Sequence, residues 1–179
     1  HASLFTGLAP QHHGVKATYK WLDDHHTTLA EHLGGLGWDT FAFSANPYVA
    51  PDTHIVQGFT TFTSSFTKPY KKQARVSTTR KLIARDASTD ISPAWKGKRT
   101  IGDVHPYKDA GPVAHDALLD WLTTRDQPDR PWFAFINLME AHIPRVPSME
   151  SRKALLDPAT IELGLTTPVS QMDLLAYTF

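Results

Sequence analysis

The chain has 179 residues, with 18 Lys and Arg against 18 Asp and Glu, ten His, 13 Pro and no Cys. This length is typical of one domain, and 41% hydrophobic with 20% charged residues excludes a disordered tail and a fibrous protein. The absence of Cys excludes disulfides, iron–sulfur clusters and Cys-ligated zinc sites. No apolar run approaches the ~20 residues that a bilayer-spanning helix needs, so no membrane segment is predicted in this chain.

The first third of the chain predicts two helices followed by a strand. Residues 2–8 have the pattern of a short helix that ends near Pro10. Thr28 stands three residues before Glu31, which is the spacing of a capping box at the start of a second helix. The leucines spaced for one face of that helix are Leu29, Leu33 and Leu36. Residues 38–44 alternate aromatic and smaller side chains, which predicts a strand.

The second half of the chain repeats this order of helix and strand. Residues 113–124 are amphipathic, and the side chains predicted to face the core are Leu118, Leu119 and Leu122. Residues 131–139 form a nearly continuous apolar run, typical of a parallel strand buried on both faces. Short helices are predicted over 150–156 and from Ser170. The alternation predicts the α/β class, with a mostly parallel central sheet and right-handed crossovers.

The neutral net charge hides a strongly basic segment. Residues 60–108 contain eleven of the 18 Lys and Arg residues and three of the 18 Asp and Glu residues. One interpretation is a solvated insertion between two ordered halves of the domain. The other is a basic rim that attracts an anionic substrate. Nucleic acid is not a predicted partner, because the aromatic residues do not interleave with the basic ones in a recognition pattern.

Candidate site residues follow the two predicted strands. In open α/β sheets, active sites gather beyond the carboxyl ends of the strands, and residues 44–47 and 140–144 occupy those positions. His142 leaves a buried strand just before a Pro that enforces extended backbone. Such a His can protonate or hydrogen-bond an oxyanion, or it can be a partly buried structural residue in a loop. The spacing alone leaves both interpretations open.

Three ordered blocks of the chain resemble the sulfatase family of the alkaline phosphatase superfamily. Residues 2–15, ASLFTGLAPQHHGV, are similar to the family segment that follows the nucleophile, in which Ser-Leu-x-Thr-Gly precedes a Pro and a His-Gly. Residues 28–40 are similar to the next block, a helix that leads to Gly-Tyr-x-Thr. Residues 132–144 resemble the block in which Pro-Phe-Phe-x-Phe is followed by His-x-Pro. Residues 57–59 match the Gln-Gly-Phe that is usual after the first strand.

The resemblance implies an alkaline phosphatase-like sandwich. In the family, a nucleophile caps a helix whose N-terminal amides face the sulfate or phosphate, and residues 2–8 correspond to that helix. A divalent cation, most often calcium, polarises the ester oxygens. Its two ligand pairs lie before the nucleophile and well after the His-x-Pro block. The resemblance therefore implies that residues 1–179 are an incomplete fragment of one catalytic domain, which lacks the nucleophile and the metal ligands and contains residues 60–108 as a basic insertion.

The resemblance also assigns roles to four residues. His142 corresponds to the family His that contacts the ester oxygen, and it is the predicted catalytic residue. His13 lies in a turn that lines the family's site, and His1 aligns with the signature Arg. Asn46 follows Ser44-Ala45, where many sulfatases have a Gly-Lys whose Lys binds the sulfate. His1, His13 and Asn46 are the predicted substrate-binding residues, although an Asn supplies a hydrogen bond and no charge.

The predicted function of the parent protein is metal-dependent hydrolysis of a small anionic sulfate ester or a sulfated glycan, as the resemblance implies. The missing Arg and Lys favour an alternative, a phosphodiesterase or phosphoglycerol-transferase relative of the same superfamily. A second alternative is a catalytically silent member that binds anions or glycans. The isolated 179-residue chain is predicted to be inactive, and the sequence predicts no compartment.

Overall fold

A three-stranded parallel sheet organises the computed structural model, which describes residues 1–77, 109–142 and 149–166. The strands are β1 (Asp39–Ser44), β2 (Thr61–Ser64) and β3 (Trp132–Asn137), in the order β2-β1-β3. Ser44 lies opposite both Ser64 and Asn137, so the three strands end at one edge of the sheet. This arrangement confirms the α/β class and the parallel sheet, whereas β2 was not predicted.

Helices cover both faces of β1, which explains why it is buried along almost its whole length. Successive strand side chains point to opposite faces, so Phe41 and Phe43 face one side while Thr40 and Ala42 face the other. All four are at most 1% exposed. The alternation of aromatic and smaller residues in β1 therefore does not separate a buried face from a solvent-exposed one. Each face of the sheet packs against its own hydrophobic cluster.

The helix α5 (Gly111–Thr124) packs on the Phe41 face of the sheet and shares a hydrophobic cluster with α4, at residues 71–77. Its buried residues are Val113, Ala114 and Ala117. The prediction that Leu118, Leu119 and Leu122 face the core is wrong for Leu119, which is 46% exposed, and the other two are half-buried. Small side chains at the contact let α5 approach the sheet closely, and Trp121 stacks on Phe41 with ring centroids 5.0 Å apart.

The opposite face of the sheet carries α1 (Ala2–Thr6), α2 (Pro10–His13) and α3 (Leu29–Gly35). The predicted helix over residues 2–8 is present but ends earlier, because Gly7 adopts a left-handed conformation with φ of 69°. Pro10 starts a second helix rather than only ending the first, in the first-turn position where its missing N–H is harmless.

The start of α3 confirms the predicted capping box. The Glu31 N–H donates to Thr28 Oγ1 at 3.2 Å, and the Thr28 N–H donates to Glu31 Oε2 at 2.7 Å. The predicted leucine face is not the face of α3 that packs against the protein, because Leu29 and Leu36 are exposed while Ala30 is completely buried. The helix therefore meets β1 through a small residue, as α5 does.

The Gln57-Gly58-Phe59 sequence ties α3 to β1. The Thr28 hydroxyl donates to the Gln57 carbonyl at 2.9 Å, and the Thr40 hydroxyl donates to the Gly58 carbonyl at 2.8 Å. Gly58 has a φ of +86°, and an added Cβ would lie 2.3 Å from the Glu31 nitrogen. A residue with a side chain therefore does not fit at this crossing point.

The third strand is less buried than its apolar sequence predicts. Trp132 and Ile136 are 43% and 37% exposed, so the prediction of burial on both faces is wrong for β3 in the described part of the chain. The reason is its place at one side of the described sheet, where it pairs with β1 alone. The predicted helix over 150–156 is present as α6 (Met149–Leu155), followed by α7 (Pro158–Thr166), while the helix predicted from Ser170 lies outside the described residues.

Within the described ranges, no helix is both long and apolar enough to cross a membrane. The basic segment contributes β2 and α4 to the fold. Its remainder, residues 78–108, lies outside the described residues.

Candidate functional site

Polar side chains meet where β1 and β3 end. The Asn137 side-chain nitrogen donates to Nε2 of His1 at 2.9 Å, and the Ser44 hydroxyl lies 3.4 Å from Asn137 Oδ1. The His1 ring also meets Phe135 edge-on, with centroids 5.9 Å apart. These contacts hold the residue before α1 against the carboxyl edge of the sheet, where α/β proteins bind ligands.

His13 is a buried, neutral histidine whose two ring nitrogens are both engaged. Its Nδ1 accepts the Val15 backbone N–H at 3.1 Å, and its Nε2 lies 2.8 Å from the Ser3 hydroxyl oxygen. Because Nδ1 is an acceptor, the ring proton is assigned to Nε2, which donates to Ser3. Burial lowers the pKa of His13, since the charged ring would lose hydration, and this effect outweighs a backbone hydrogen bond that raises it.

This tautomer determines what the Ser3–His13 pair can do. A histidine that activates a serine must accept the hydroxyl proton, but Nε2 already carries a proton here. Ser3 is therefore an oriented hydrogen-bond donor rather than an activated nucleophile. The Ser3 oxygen accepts the hydrogen bond from His13, so the Ser3 hydroxyl hydrogen is available to donate to another group.

A cavity of about 290 Å³ lies beside these residues. The polar side chains of its lining are His1, Ser3, His13, Lys20, Asn46 and Tyr48. Its apolar wall includes Ala2, Val49 and Ile55, which belong to the hydrophobic cluster beneath it. The structure thus brings together the three predicted substrate-binding residues, His1, His13 and Asn46, around one space.

Asn46 presents donors to this cavity. Its Oδ1 accepts the Tyr48 backbone N–H at 2.9 Å, which orients the side chain with the amide hydrogens as its remaining groups. The backbone N–H and carbonyl of Asn46 are both bonded to the Ser44 hydroxyl at 3.0 Å. The turn after β1 is therefore held in place at both main chain and side chain.

His142 lies outside the set of residues that line the cavity. It occupies the exposed turn after β3, where its backbone N–H donates to the Met139 carbonyl at 3.1 Å. The neighbouring Glu140 accepts the N–H groups of Ala110 and Gly111 at 2.7 and 2.8 Å, so it caps the start of α5. The catalytic assignment of His142 stays a prediction.

The described residues contain no group of three or more His, Cys, Asp and Glu side chains that could hold a metal ion. The part of the cavity lining that the structure describes also has no carboxylate, so its donors suit an anion and do not fit a hard cation such as calcium. The cation that the resemblance implies would have to be bound by other residues than these.

Four further polar residues of the site were not predicted from the sequence: Ser3, Lys20, Tyr48 and Asn137. Asn137 carried a signal, because it is the first polar residue after the apolar run of β3 and so marks the strand's carboxyl end. Lys20 and Tyr48 lie in irregular segments without periodicity, and no sequence pattern marks them.

No protein family model, curated protein or solved structure matches the chain.

Proposed function

We propose that this chain forms the anion-binding part of a metal-dependent sulfate ester hydrolase related to the sulfatases. One observation carries the proposal: the cavity at the carboxyl ends of β1 and β3 gathers hydrogen-bond donors and a lysine, with no carboxylate among the lining residues that the structure describes. A site of this composition favours a negatively charged group. Its volume of about 290 Å³ is at the lower end of the range typical of small-ligand sites.

The fold is compatible with an alkaline phosphatase-like sandwich, in which a parallel sheet is covered by helices on both faces. The described residues supply three strands of such a sheet and helices on each side of β1. In this proposal the nucleophile and the ligands of the divalent cation lie outside the 179 residues. The chain's own contribution is then to bind and orient the anionic group, and we expect it to bind an anion without hydrolysing an ester.

The absence of the family's signature Arg and sulfate-binding Lys supports a second candidate function, the hydrolysis or transfer of a phosphoester. His1 stands where sulfatases have an Arg, and it is bonded to Asn137 rather than left as a free charge. A phosphodiester and a sulfate monoester each carry one negative charge, so the described lining of the cavity, with one lysine, fits a phosphodiesterase or phosphoglycerol-transferase relative as well as a sulfatase. A catalytically silent anion or glycan binder would use the same cavity and differ only in the residues that lie elsewhere.

The proposal is tested by titrating the 179-residue chain with sodium sulfate and, separately, sodium phosphate at constant ionic strength. Nuclear magnetic resonance shifts of the Asn46 backbone amide and the His13 ring, which are present in both the wild type and the variant, report on the cavity. Asn46→Asp replaces donors with a negative charge, and we expect it to abolish these shifts. Unchanged binding by Asn46→Asp, or no binding of either anion by the wild type, would contradict the proposal.

Gln127→Glu is the matched control, because it makes the same chemical change at the opposite edge of the sheet. Gln127 is exposed and lies near Arg125, which bonds Asp39 at the start of β1 at 3.0 Å. We expect this variant to bind sulfate like the wild type. A loss of binding in both variants would show that net charge, rather than the cavity, governs the interaction.

A further inference from the structure

We infer that Lys20 is the residue whose positive charge binds the anionic group in this cavity, and that Tyr48 holds it there; this inference rests on the proposed function. Among the described residues that line the cavity, Lys20 is the only Lys or Arg. Its Nζ lies 3.4 Å from the centroid of the Tyr48 ring, which is the geometry of a cation–π contact.

The position that resembles the family's sulfate-binding Lys is not available for this role. Ala45 is completely buried and packs in the cluster beneath α5, on the other face of the sheet from the cavity. A charged side chain there would enter the hydrophobic core, at a large desolvation cost. Any fixed cation for the anion must therefore come from another segment, and Lys20 is the described lysine that reaches the cavity.

The segment that carries Lys20 is anchored on both sides. Before it, Lys16 and Tyr19 exchange backbone hydrogen bonds of 2.7 and 3.0 Å. After it, Leu22 is completely buried, and its N–H donates to the Thr53 carbonyl at 3.0 Å. The backbone at Lys20 is thus held against the cavity, although the side chain itself is exposed.

Tyr48 links the lysine to the donors of the cavity. Its backbone N–H orients the Asn46 amide, while its ring lies beneath the Lys20 ammonium. Among the described residues, no carboxylate forms an ion pair with Lys20. The ammonium therefore keeps hydrogen-bond donors for an incoming sulfate or phosphate oxygen, and an ionised partner makes such bonds stronger than neutral ones.

The test compares sodium sulfate binding by the chain and its Lys20 variants, by calorimetric titration at constant ionic strength. A hydrogen bond to a charged group is worth enough that we expect Lys20→Ala to weaken binding by about tenfold or more. Lys20→Arg retains the charge and the ring contact, and we expect it to bind within about threefold of wild type. Tyr48→Leu should weaken sulfate binding, whereas Tyr48→Phe, which keeps the ring, should not.

Lys16→Ala is the control, because it removes an equal charge from the same segment at a residue outside the cavity lining. If Lys20→Ala weakens sulfate binding no more than Lys16→Ala does, the role of Lys20 is overturned while the proposed anion site stands. If the wild type binds neither sulfate nor phosphate, both the inference and the proposed function are overturned. Because Lys20 and Lys16 are exposed, we expect their variants to fold. Backbone amide spectra that match the wild type would confirm that they do.

Discussion

The side-chain amide of Asn137 donates a hydrogen bond to Nε2 of His1 across 136 positions of sequence. This bond joins the end of β3 to the residue before α1, and Ser44 at the end of β1 lies next to Asn137. The two strand ends and the first residue of the chain therefore form one unit at the cavity. Positioned donors of this kind determine how well a site fits its ligand.

Removing this bond should weaken both the fold and the cavity. For Asn137→Ala we expect a loss of about 1 kcal/mol in the free energy of unfolding, the usual net value of one hydrogen bond. An equal loss in binding would lower sulfate affinity about fivefold. Urea unfolding and sulfate titration measure the two effects, with Gln127→Ala as a control at the other edge of the sheet. Sulfate affinity equal to that of the control would show that His1 needs no support from Asn137.

The close approach of Gly58 to Glu31 of α3 leads to a second prediction, which concerns stability. Alanine at this position would need a positive φ and would place its Cβ 2.3 Å from the Glu31 nitrogen. We expect Gly58→Ala to lower the free energy of unfolding by at least about 2 kcal/mol, because backbone strain and a steric clash add. Gly35→Ala is the matched control, since nothing lies within 4 Å of a Cβ built there. Similar urea midpoints for the two variants would contradict this account.

Local signals in the sequence predicted the elements well where one chemical rule determines the backbone. The Thr28 and Glu31 spacing specified the capping box, and the apolar run after residue 131 specified a strand. The faces of the helices were less predictable. Leucines at helical spacing marked α3 and α5, but small residues such as Ala30 and Ala114 are the ones buried, because the helices pack close to the sheet.

The candidate site was predictable only in part, for a similar reason. His13 is the last residue of α2 and Asn46 follows β1 closely, and the resemblance assigned both to the site. Lys20 reaches the same cavity from an irregular segment, so its position depends on tertiary contacts that no local pattern encodes. The four-residue strand β2 was missed because its Thr-Phe-Thr-Ser sequence is short and polar and adjoins the basic segment.

The burial of His13 predicts a pH dependence of stability. Its pKa is lowered in the folded chain, so between this value and about 6.5, the ordinary value, the unfolded chain binds more protons. Stability should therefore be fully present above about pH 6.5 and fall as the pH decreases through this window. Urea unfolding at about pH 7.5 and about pH 5 measures the loss. We expect His13→Gln, which cannot titrate, to show a smaller pH-dependent loss than the exposed control His12→Gln; equal losses would assign the effect to other groups.

The prediction for His142 concerns a polypeptide that includes the complete catalytic domain. If His142 donates to or protonates the ester oxygen, His142→Ala should lower kcat by roughly 10²–10⁴-fold, the usual scale for a positioned acid or donor. Its melting temperature should change little, because His142 lies in an exposed turn. His115→Ala, at an exposed position on α5, is the control and should change neither quantity. A structural role predicts the reverse for His142→Ala: a lower melting temperature with kcat per folded molecule intact. That result would remove His142 from the catalytic machinery and leave the anion cavity as the contribution of this chain.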